Sequence, residues 1–273
     1  MPARNDQIRS LRVEAGSAPR LEQRDPGART GAPDKQAGLE RLQELVDRLG
    51  ALHDRLFAEA SRAVLLVLQG LDTAGKDGTI RHVLTGANPQ GCRVVSFREP
   101  AGSELAHDYL WRVHAVCPAR GELAVFNRSH YEDVVAARVR GLVPMRVWKR
   151  RFEHIRGFER MLADEGTEVI KVFLHVSRDE QLVRLKERLD NPEKRWKFQR
   201  SDLDDRRLWD PFMEAYEDAI RETSTDWAPW YVVPADHNWV RNLAVAELLV
   251  SALERLDPKL PAPETGVDPS DLV

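Results

Sequence analysis

The chain has 273 residues, of which 42% are hydrophobic and 31% are charged, and its formal net charge at pH 7 is -3. This is an ordinary soluble composition with room for one large or two small domains, and the mild acidity argues against nucleic acid as a partner. No apolar run is long enough to cross a membrane and no hydrophobic signal region begins the chain, so we expect a cytoplasmic protein without a membrane partner.

The N-terminal region, residues 1–36, mixes Arg, Gly, Pro and acidic residues without periodicity, and we expect a disordered tail there. From Leu39 to Leu56 the apolar residues recur at helical spacing, which predicts an amphipathic helix that leads to the first strand. We place the folded domain at residues 37–256. A loose, proline-rich tail is predicted at 257–273.

A short apolar run and a glycine-rich loop follow this helix. The run AVLLVL, Ala63–Leu68, predicts a strand that is buried on both faces. After it, Gly70, Gly75 and Lys76 keep the G-x-x-x-x-G-K spacing of a phosphate-binding loop, whose backbone N–H groups and lysine surround phosphate oxygens. The alternative is a strand-to-helix turn without a ligand. The predicted phosphate-binding residues are Gly70, Thr73, Ala74, Gly75, Lys76, Asp77, Gly78 and Thr79.

Two aspartates distinguish this loop from the usual motif. Asp77 stands where a Ser or Thr would offer a hydroxyl to Mg²⁺, and Asp72 lies inside the loop, where a bare carboxylate would repel phosphate. A divalent cation, Mg²⁺ or alternatively Mn²⁺, resolves this conflict if Asp72 helps to hold it. The other interpretation is that both aspartates only cap the next helix, which we prefer for Asp77. We expect Lys76 to face solvent.

Strands and helices alternate beyond the loop. Arg93–Phe97 and Leu123–Phe126 predict the second and third strands, and a helix is predicted between them from Leu105 to Val113. Two cysteines, Cys92 and Cys117, are too few and too isolated for a disulfide framework or a metal site. We interpret both as buried small hydrophobic residues.

A polar cluster, Asn127–Asp133 (NRSHYED), follows the third predicted strand directly. In doubly wound folds ligands gather beyond the C-terminal ends of the strands, so we expect this cluster and the phosphate loop to face one crevice. Asp133 stands where a second metal-organising carboxylate belongs, although Glu132 could serve instead and a helix cap is a further alternative for Asp133. His130 and Tyr131 either position an acceptor or pack in the core.

Basic residues are concentrated after this cluster. Between Arg138 and Arg160 there are eight Arg or Lys residues and two acidic residues. Such a local basic field suits a compact polyanionic substrate, although a solvated helix face would look the same. A helix is predicted to begin at Pro144, and Glu168–Val176 predicts the fourth strand.

The charged stretch Arg178–Arg207 predicts a helical hairpin that projects from the sheet. We interpret the region of about 178–220 as a hinged lid that excludes water from phosphoryl transfer, with a salt-bridged surface helix pair as the alternative. Trp230–Pro234 and Trp239–Leu256 complete the pattern as the fifth strand and a closing helix. This alternation predicts an α/β fold with a parallel five-stranded sheet and helices on both faces.

Six separate stretches match, in order, the motifs of one known family, and together they span about 39–256. They are GLDTAGKDGTIRHV (Gly70–Val83), NPQGCRVVSF (Asn88–Phe97), HDYLWR (His107–Arg112), FNRSHYEDV (Phe126–Val134), RLKERLDNPEKRWKF (Arg184–Phe198) and WYVVPADHNW (Trp230–Trp239). With these motifs the sequence resembles the family-2 polyphosphate kinases, which are members of the P-loop kinase group.

This resemblance implies a three-layer α/β/α sandwich with a helical lid, assembled as a homodimer or homotetramer. It also implies Mg²⁺-dependent phosphoryl transfer between inorganic polyphosphate and a nucleotide, without a covalent intermediate. The form FNRSHYED, which contains Asn127, resembles the branch that phosphorylates AMP and ADP, giving ADP and ATP. An ATP-dependent kinase of a small metabolite and a phosphate-binding regulatory module without turnover remain as alternatives, because P-loop scaffolds host many activities.

The resemblance also assigns roles by matching position. Lys76 and the loop amides hold phosphates, Asp72 and Asp133 organise the metal, and the two lid arginines reach in towards the reacting groups. These arginines are four residues apart, so on a helix they project from one face. The residues assigned to catalysis are Asp72, Lys76, Arg128, Asp133, Arg184 and Arg188.

Overall fold

The computed structural model describes residues 8–193, 195–198 and 200–264. The strands in these residues are β1 Arg12–Val13, β2 Ala63–Gln69, β3 Cys92–Ser96, β4 Leu123–Asn127, β5 Thr167–His175 and β6 Trp230–Pro234. They form one sheet in the order β1-β6-β5-β2-β4-β3. Strands β2 to β6 pair in parallel, while β1 pairs antiparallel with β6 at the edge. The described sheet therefore has six strands rather than the five predicted, and the added strand is the antiparallel one.

Two helical layers enclose this sheet, so the predicted three-layer α/β architecture is confirmed. The helices are α1 Lys35–Glu59, α2 Lys76–Val83, α3 Trp111–His114, α4 Ala136–Val139, α5 Met145–Asp164, α6 Arg178–Asp190, α7 Arg200–Arg207, α8 Trp209–Thr223 and α9 Asn238–Leu256. Helix α9 packs against α1, α2 and the sheet, whereas α5 packs against β5 and α8. Among the described helices, none is long and apolar enough to cross a membrane.

Strand β2 is the centre of the fold. Its seven residues are all buried, because it pairs with β5 on one side and β4 on the other and both of its faces are covered by helices. Leu68 of β2 lies opposite Asn127 of β4. The loop after β2 and the polar cluster after β4 therefore leave the sheet side by side, which is the shared crevice that the sequence predicts.

The N-terminal region differs from our prediction. From Ile8 onwards it is ordered and packed rather than a disordered tail: β1 pairs with β6, and Leu11 and Leu21 are buried in the core. The Glu217 carboxylate accepts the backbone N–H groups of Arg20 and Leu21 at 2.8 and 3.0 Å. Without β1, the outer edge of β6 would expose unpaired backbone N–H and C=O groups, and this segment covers them. Residues 1–7 and 265–273 lie outside the described part of the chain, and the domain limits 37–256 stay a prediction.

The helix predicted from Leu105 to Val113 is also wrong. A 3-10 turn over Gly102–Ala106 and the short α3 replace it. The Asp108 carboxylate accepts the N–H of Leu110 at 2.9 Å, and such a local side-chain turn competes with a continuous helix.

The two cysteines are free thiols. Cys92 and Cys117 are each half-buried, so neither is the fully buried hydrophobe that we expected.

Candidate active site

The phosphate loop joins β2 to α2 and is built on backbone conformations that favour glycine. Gly70 has a φ of 151° and Gly75 a φ of 101°. Gly75 occupies the N-cap position of α2 without a side-chain cap, so the first N–H groups of the helix remain for an external acceptor. Thr73 also has a positive φ, 64°, and its buried hydroxyl has no hydrogen-bond partner within the described residues. The loop thus presents donors suited to phosphate oxygens.

Lys76 is buried beneath this loop, with 8% of the residue exposed, so our expectation of a solvent-facing lysine is wrong. Its Nζ donates to the carbonyl oxygen of Gly70 at 2.7 Å and to that of Leu71 at 3.2 Å. Burial, followed by the charge of Arg128, lowers the pKa of Lys76 to about 8.

Asp72 and Arg128 form an ion pair across the crevice. Arg128 Nη2 lies 2.5 Å from Asp72 Oδ1, and the arginine directly follows β4 in a left-handed conformation with a φ of 62°. Burial alone would raise the pKa of Asp72, but Arg128 and Lys76 outweigh it and lower that pKa, with a further contribution from Arg188. The fold therefore brings four of the predicted catalytic residues into one electrostatic unit.

The two adjacent acids after β4 have different surroundings. Glu132 interacts electrostatically with Arg128, Lys76 and Asp72, and burial raises the pKa of its carboxyl group. Gln69, the last residue of β2, donates to Glu132 Oε1 at 3.0 Å in the orientation that satisfies both of its amide atoms. Glu132, which the sequence left as an alternative, is thus the acid whose charge is coupled to the phosphate loop.

Asp133, by contrast, lies between two arginines that the sequence did not single out. Its carboxylate is 3.6 Å from Arg112 Nη2 and 3.8 Å from Arg151 Nη1, and its backbone oxygen accepts from Arg151 Nη1 at 2.7 Å. Burial raises the pKa of Asp133 and these arginines oppose that rise. The metal role predicted for Asp133 stays a prediction, and its immediate partners are arginines.

A buried polar network fixes this acidic turn to the core. His130 and Tyr131 are fully buried, which favours packing over contact with an acceptor. Glu159 accepts from Tyr131 Oη at 2.8 Å, and Lys171 Nζ lies 2.5 Å from the other Glu159 oxygen. Lys171 also donates to the backbone oxygen of Thr223 at 2.7 Å. The turn that carries Glu132 and Asp133 is therefore held rigidly from below.

The two predicted lid arginines lie near the loop but make different contacts. Arg184 donates to the backbone oxygens of Thr73 at 3.0 Å, Ala235 at 2.7 Å and Asp236 at 2.8 Å. In this conformation it ties the loop to the end of β6. Arg188 pairs with Asp202 of α7 at 3.1 Å, and its positive charge contributes to lowering the pKa of Asp72. Of the two, Arg188 is the arginine whose charge stabilises the Asp72 carboxylate.

A cavity of about 280 Å³ lies between the start of the loop, Arg128 and the two acids after β4. Gly70, Leu71 and Asp72 of the loop line part of its wall. An apolar part includes Phe97, Val143 and Phe212. The lining arginines are Arg98, Arg112, Arg128, Arg140 and Arg151.

A family model described as polyphosphate kinase 2 matches residues 32–261. The chain belongs to the polyphosphate kinase 2 family. The AMP/ADP-polyphosphate phosphotransferase of Meiothermus ruber is 61% identical over 232 residues, which are 85% of this chain and 87% of that protein. The ADP-polyphosphate phosphotransferase of Rhodopseudomonas palustris is 45% identical over 238 residues, 83% of this chain and 82% of that protein.

Membership of this family extends to the three-dimensional structure. The crystal structure of polyphosphate kinase 2 from Arthrobacter aurescens superimposes with a TM-score of 0.90 at 40% sequence identity, covering 97% of this chain and 94% of that one. That agreement includes the P-loop kinase arrangement of sheet and helices. The resemblance seen in the sequence motifs is therefore confirmed at the level of the family and the fold.

Sequence reasoning missed several arginines of the site. Arg112 stands within the matched motif HDYLWR, but nothing local shows that it contacts the acidic turn. Arg140 and Arg151 belong to the basic stretch after β4, whose positive charge was the only available signal. Arg241 stands among the apolar residues of α9, so the sequence pattern does not single it out.

Proposed function

We propose that this chain catalyses Mg²⁺-dependent phosphoryl transfer from inorganic polyphosphate to AMP or ADP. The observation that carries the proposal is the single cavity in which the phosphate loop, five arginines and an apolar wall meet. Both substrates are polyanions, and the nucleotide also carries a flat base that an apolar wall accommodates. The names of the Meiothermus ruber and Rhodopseudomonas palustris relatives support the same donor, and the former is named for both acceptors.

Two groups of cations support a division between the reacting phosphates and the acceptor. Lys76 contacts the backbone of the loop and Arg128 pairs with Asp72 in the loop, and both are proposed to hold the phosphates that react. Arg112 and Arg151, on either side of the Asp133 carboxyl group, are proposed to hold the acceptor nucleotide. In-line transfer needs donor and acceptor to be aligned and the equatorial charge to be neutralised, and it needs little covalent chemistry from the protein.

The residues at the loop fit a divalent cation. No cluster of three or more His, Cys, Asp or Glu side chains suited to a metal occurs among the described residues. Mg²⁺ in kinases is held by one or two carboxylates together with substrate phosphates and water, so such a cluster is not required. We propose that Asp72 and Glu132 hold Mg²⁺, or Mn²⁺ in its place, because the charge of Asp72 raises the pKa of Glu132, so that the two carboxylates lie close together beside the loop. The bound cation supplies neutralisation of phosphate charge.

Helices α6 and α7 are proposed to act as the lid over this cavity. Arg140 Nη2 lies 2.8 and 2.9 Å from the two carboxylate oxygens of Asp205 on α7, and Arg140 Nη1 lies 3.1 Å from Glu99. All three residues line the cavity, so these ion pairs of Arg140 tie the lid to the facing wall. A closed lid excludes water, which would otherwise hydrolyse the donor.

The assembly and location of the protein are further parts of the proposal. The family resemblance supports a homodimer or homotetramer, which the molar mass in solution will test. We propose a cytoplasmic site of action, because AMP and ADP are available there.

The proposed reaction is tested by incubating the purified protein with Mg²⁺, long-chain polyphosphate and either AMP or ADP. We expect ADP and ATP to form, and we expect product formation to stop when Mg²⁺ is chelated. Lys76→Ala is the control for contaminating activity, because it removes a cation from the phosphate loop. Absence of product from both acceptors, with transfer from ATP to a small metabolite instead, would contradict the proposal.

A further inference from the structure

Arg241 extends from the first turn of α9 to the phosphate loop. A Cβ atom added to Gly75 would overlap its guanidinium group, and one added to Gly78 would lie 3.0 Å from Arg241 Nη2. The positive φ of Gly75 gives a second reason for glycine there, but Gly78 lies inside α2, where glycine is an unfavourable residue. The close approach of Arg241 explains why α2 carries a glycine at this position.

The guanidinium of Arg241 is buried without a counter-charge. Only 2% of the residue is exposed. Its Nη1 donates to Asn238 Oδ1 at 2.6 Å, and its Nη2 and Nε donate to Asn242 Oδ1 at 2.9 and 3.2 Å. Across the described part of the chain, no carboxylate lies within ion-pair distance of this group. Burial, followed by the charge of Arg184, lowers the pKa of Arg241 to about 9.

A buried cation that is held only by neutral acceptors is costly unless an anion lies nearby. The start of α2, which Arg241 contacts, carries the positive end of a helix dipole, and Lys76 follows Gly75 directly. The carboxylates Asp72, Glu132 and Asp77 raise the pKa of Lys76. Burial and Arg184 lower the pKa of Arg241, and no carboxylate of the described residues opposes them. The fold concentrates these positive groups at one loop. An anion bound by the loop would supply the counter-charge that Arg241 lacks.

We infer that Arg241 is a positioning residue of the phosphate site, in contact with the loop from below, and that its counter-charge is the phosphate group bound on the other side of Gly75. This inference rests on the proposed binding of polyphosphate or a nucleotide by the loop. Arg241 acts through its charge, from a position packed against Gly75 and Gly78 at the start of α2. It differs from Lys76 because it belongs to the last helix of the fold and is held by two asparagines.

The test compares Arg241→Gln, which is neutral and keeps an amide donor for the asparagines, with Arg241→Lys, which keeps the charge. Arg255→Gln, at the exposed end of the same helix, is the matched control. Inorganic tripolyphosphate is titrated into each protein, thermal unfolding is followed with and without it, and KM for polyphosphate and kcat are measured. We expect Arg241→Gln to bind tripolyphosphate about tenfold or more weakly and to raise KM, with Arg241→Lys restoring most of the affinity.

The ligand-free proteins separate this inference from a purely structural role. We expect Arg241→Gln without ligand to unfold at or above the temperature of the parent, because an uncompensated buried charge has been removed. A variant that fails to fold, or a folded variant with parental affinity and KM, would overturn the inference. So would an Arg241→Lys protein that loses as much affinity as Arg241→Gln. If the parent itself does not bind tripolyphosphate or nucleotide, the proposed function is refuted instead.

Discussion

Replacing Lys76 with Met is expected to abolish turnover and to stabilise the ligand-free protein. The side chain is buried with its Nζ against two carbonyl oxygens, and its pKa falls from 10.5 to about 8. Because one pKa unit corresponds to about 1.4 kcal/mol, burying this charge costs roughly 3 kcal/mol at pH 7. Loss of the two hydrogen bonds offsets part of the gain, which leaves an expected increase in the unfolding free energy of about 1–2 kcal/mol.

The pH dependence gives this prediction a sign that can be checked. Between about pH 8 and pH 10.5 the folded protein has released the Lys76 proton while the unfolded chain still holds it, so the stability of the parent rises with pH in this window. Lys76→Met lacks this contribution, so its stability should rise less with pH than that of the parent. Urea unfolding at pH 7 and at pH 9.5 measures both effects, with Lys35→Met, at an exposed position, as the control. A Lys76→Met protein that is less stable than the parent at pH 7 and keeps the same pH dependence would refute the reasoning.

Five further substitutions, used in three experiments, probe the rest of the site. Asp72→Asn and Glu132→Gln should each raise the Mg²⁺ concentration needed for half-maximal turnover, and their effects should not add in the double variant. Asp133→Asn should change this concentration less. Turnover measured as a function of Mg²⁺ concentration tests all three. Arg188→Lys should lower kcat by about tenfold or more, because the positive charge stays but the planar guanidinium with its paired donors is lost. The free energy of unfolding should stay within about 1 kcal/mol of the parent's. Lys171→Met should lower the unfolding free energy by about 3–5 kcal/mol in urea, since it leaves a buried carboxylate unpaired.

The central part of the fold could be predicted because its signals are local. The uninterrupted apolar run of β2 requires a strand that is covered on both faces, and the glycines that follow it require a tight loop. Strand β2 ends at Gln69 and β4 ends at Asn127, and in a parallel sheet both ends open on the same edge. These two facts are enough to place Asp72 and Arg128 in one crevice.

Features that depend on contacts distant in sequence could not be predicted in the same way. The N-terminal segment has a composition typical of disordered tails, yet its strand β1 pairs with the edge of β6, more than 200 residues away. Glu132 and Asp133 are neighbours in a 3-10 turn, and only the turn direction decides which of them meets the loop. How deeply the Lys76 side chain is buried likewise depends on where α2 starts relative to the sheet.

The phosphate loop lies among cations that cost stability when no anion is present. Lys76 and Arg241 are both buried, and the pKa of each is lowered by burial, so the fold itself opposes their charges. Because the rigid sheet and α9 hold them in place, they need no reorganisation when negative charge develops on a transferring phosphoryl group, and they act in a medium of low dielectric constant. The same burial that destabilises the ligand-free protein therefore strengthens the attraction for phosphate. Stability gained by neutralising either cation should be accompanied by a loss of phosphate affinity.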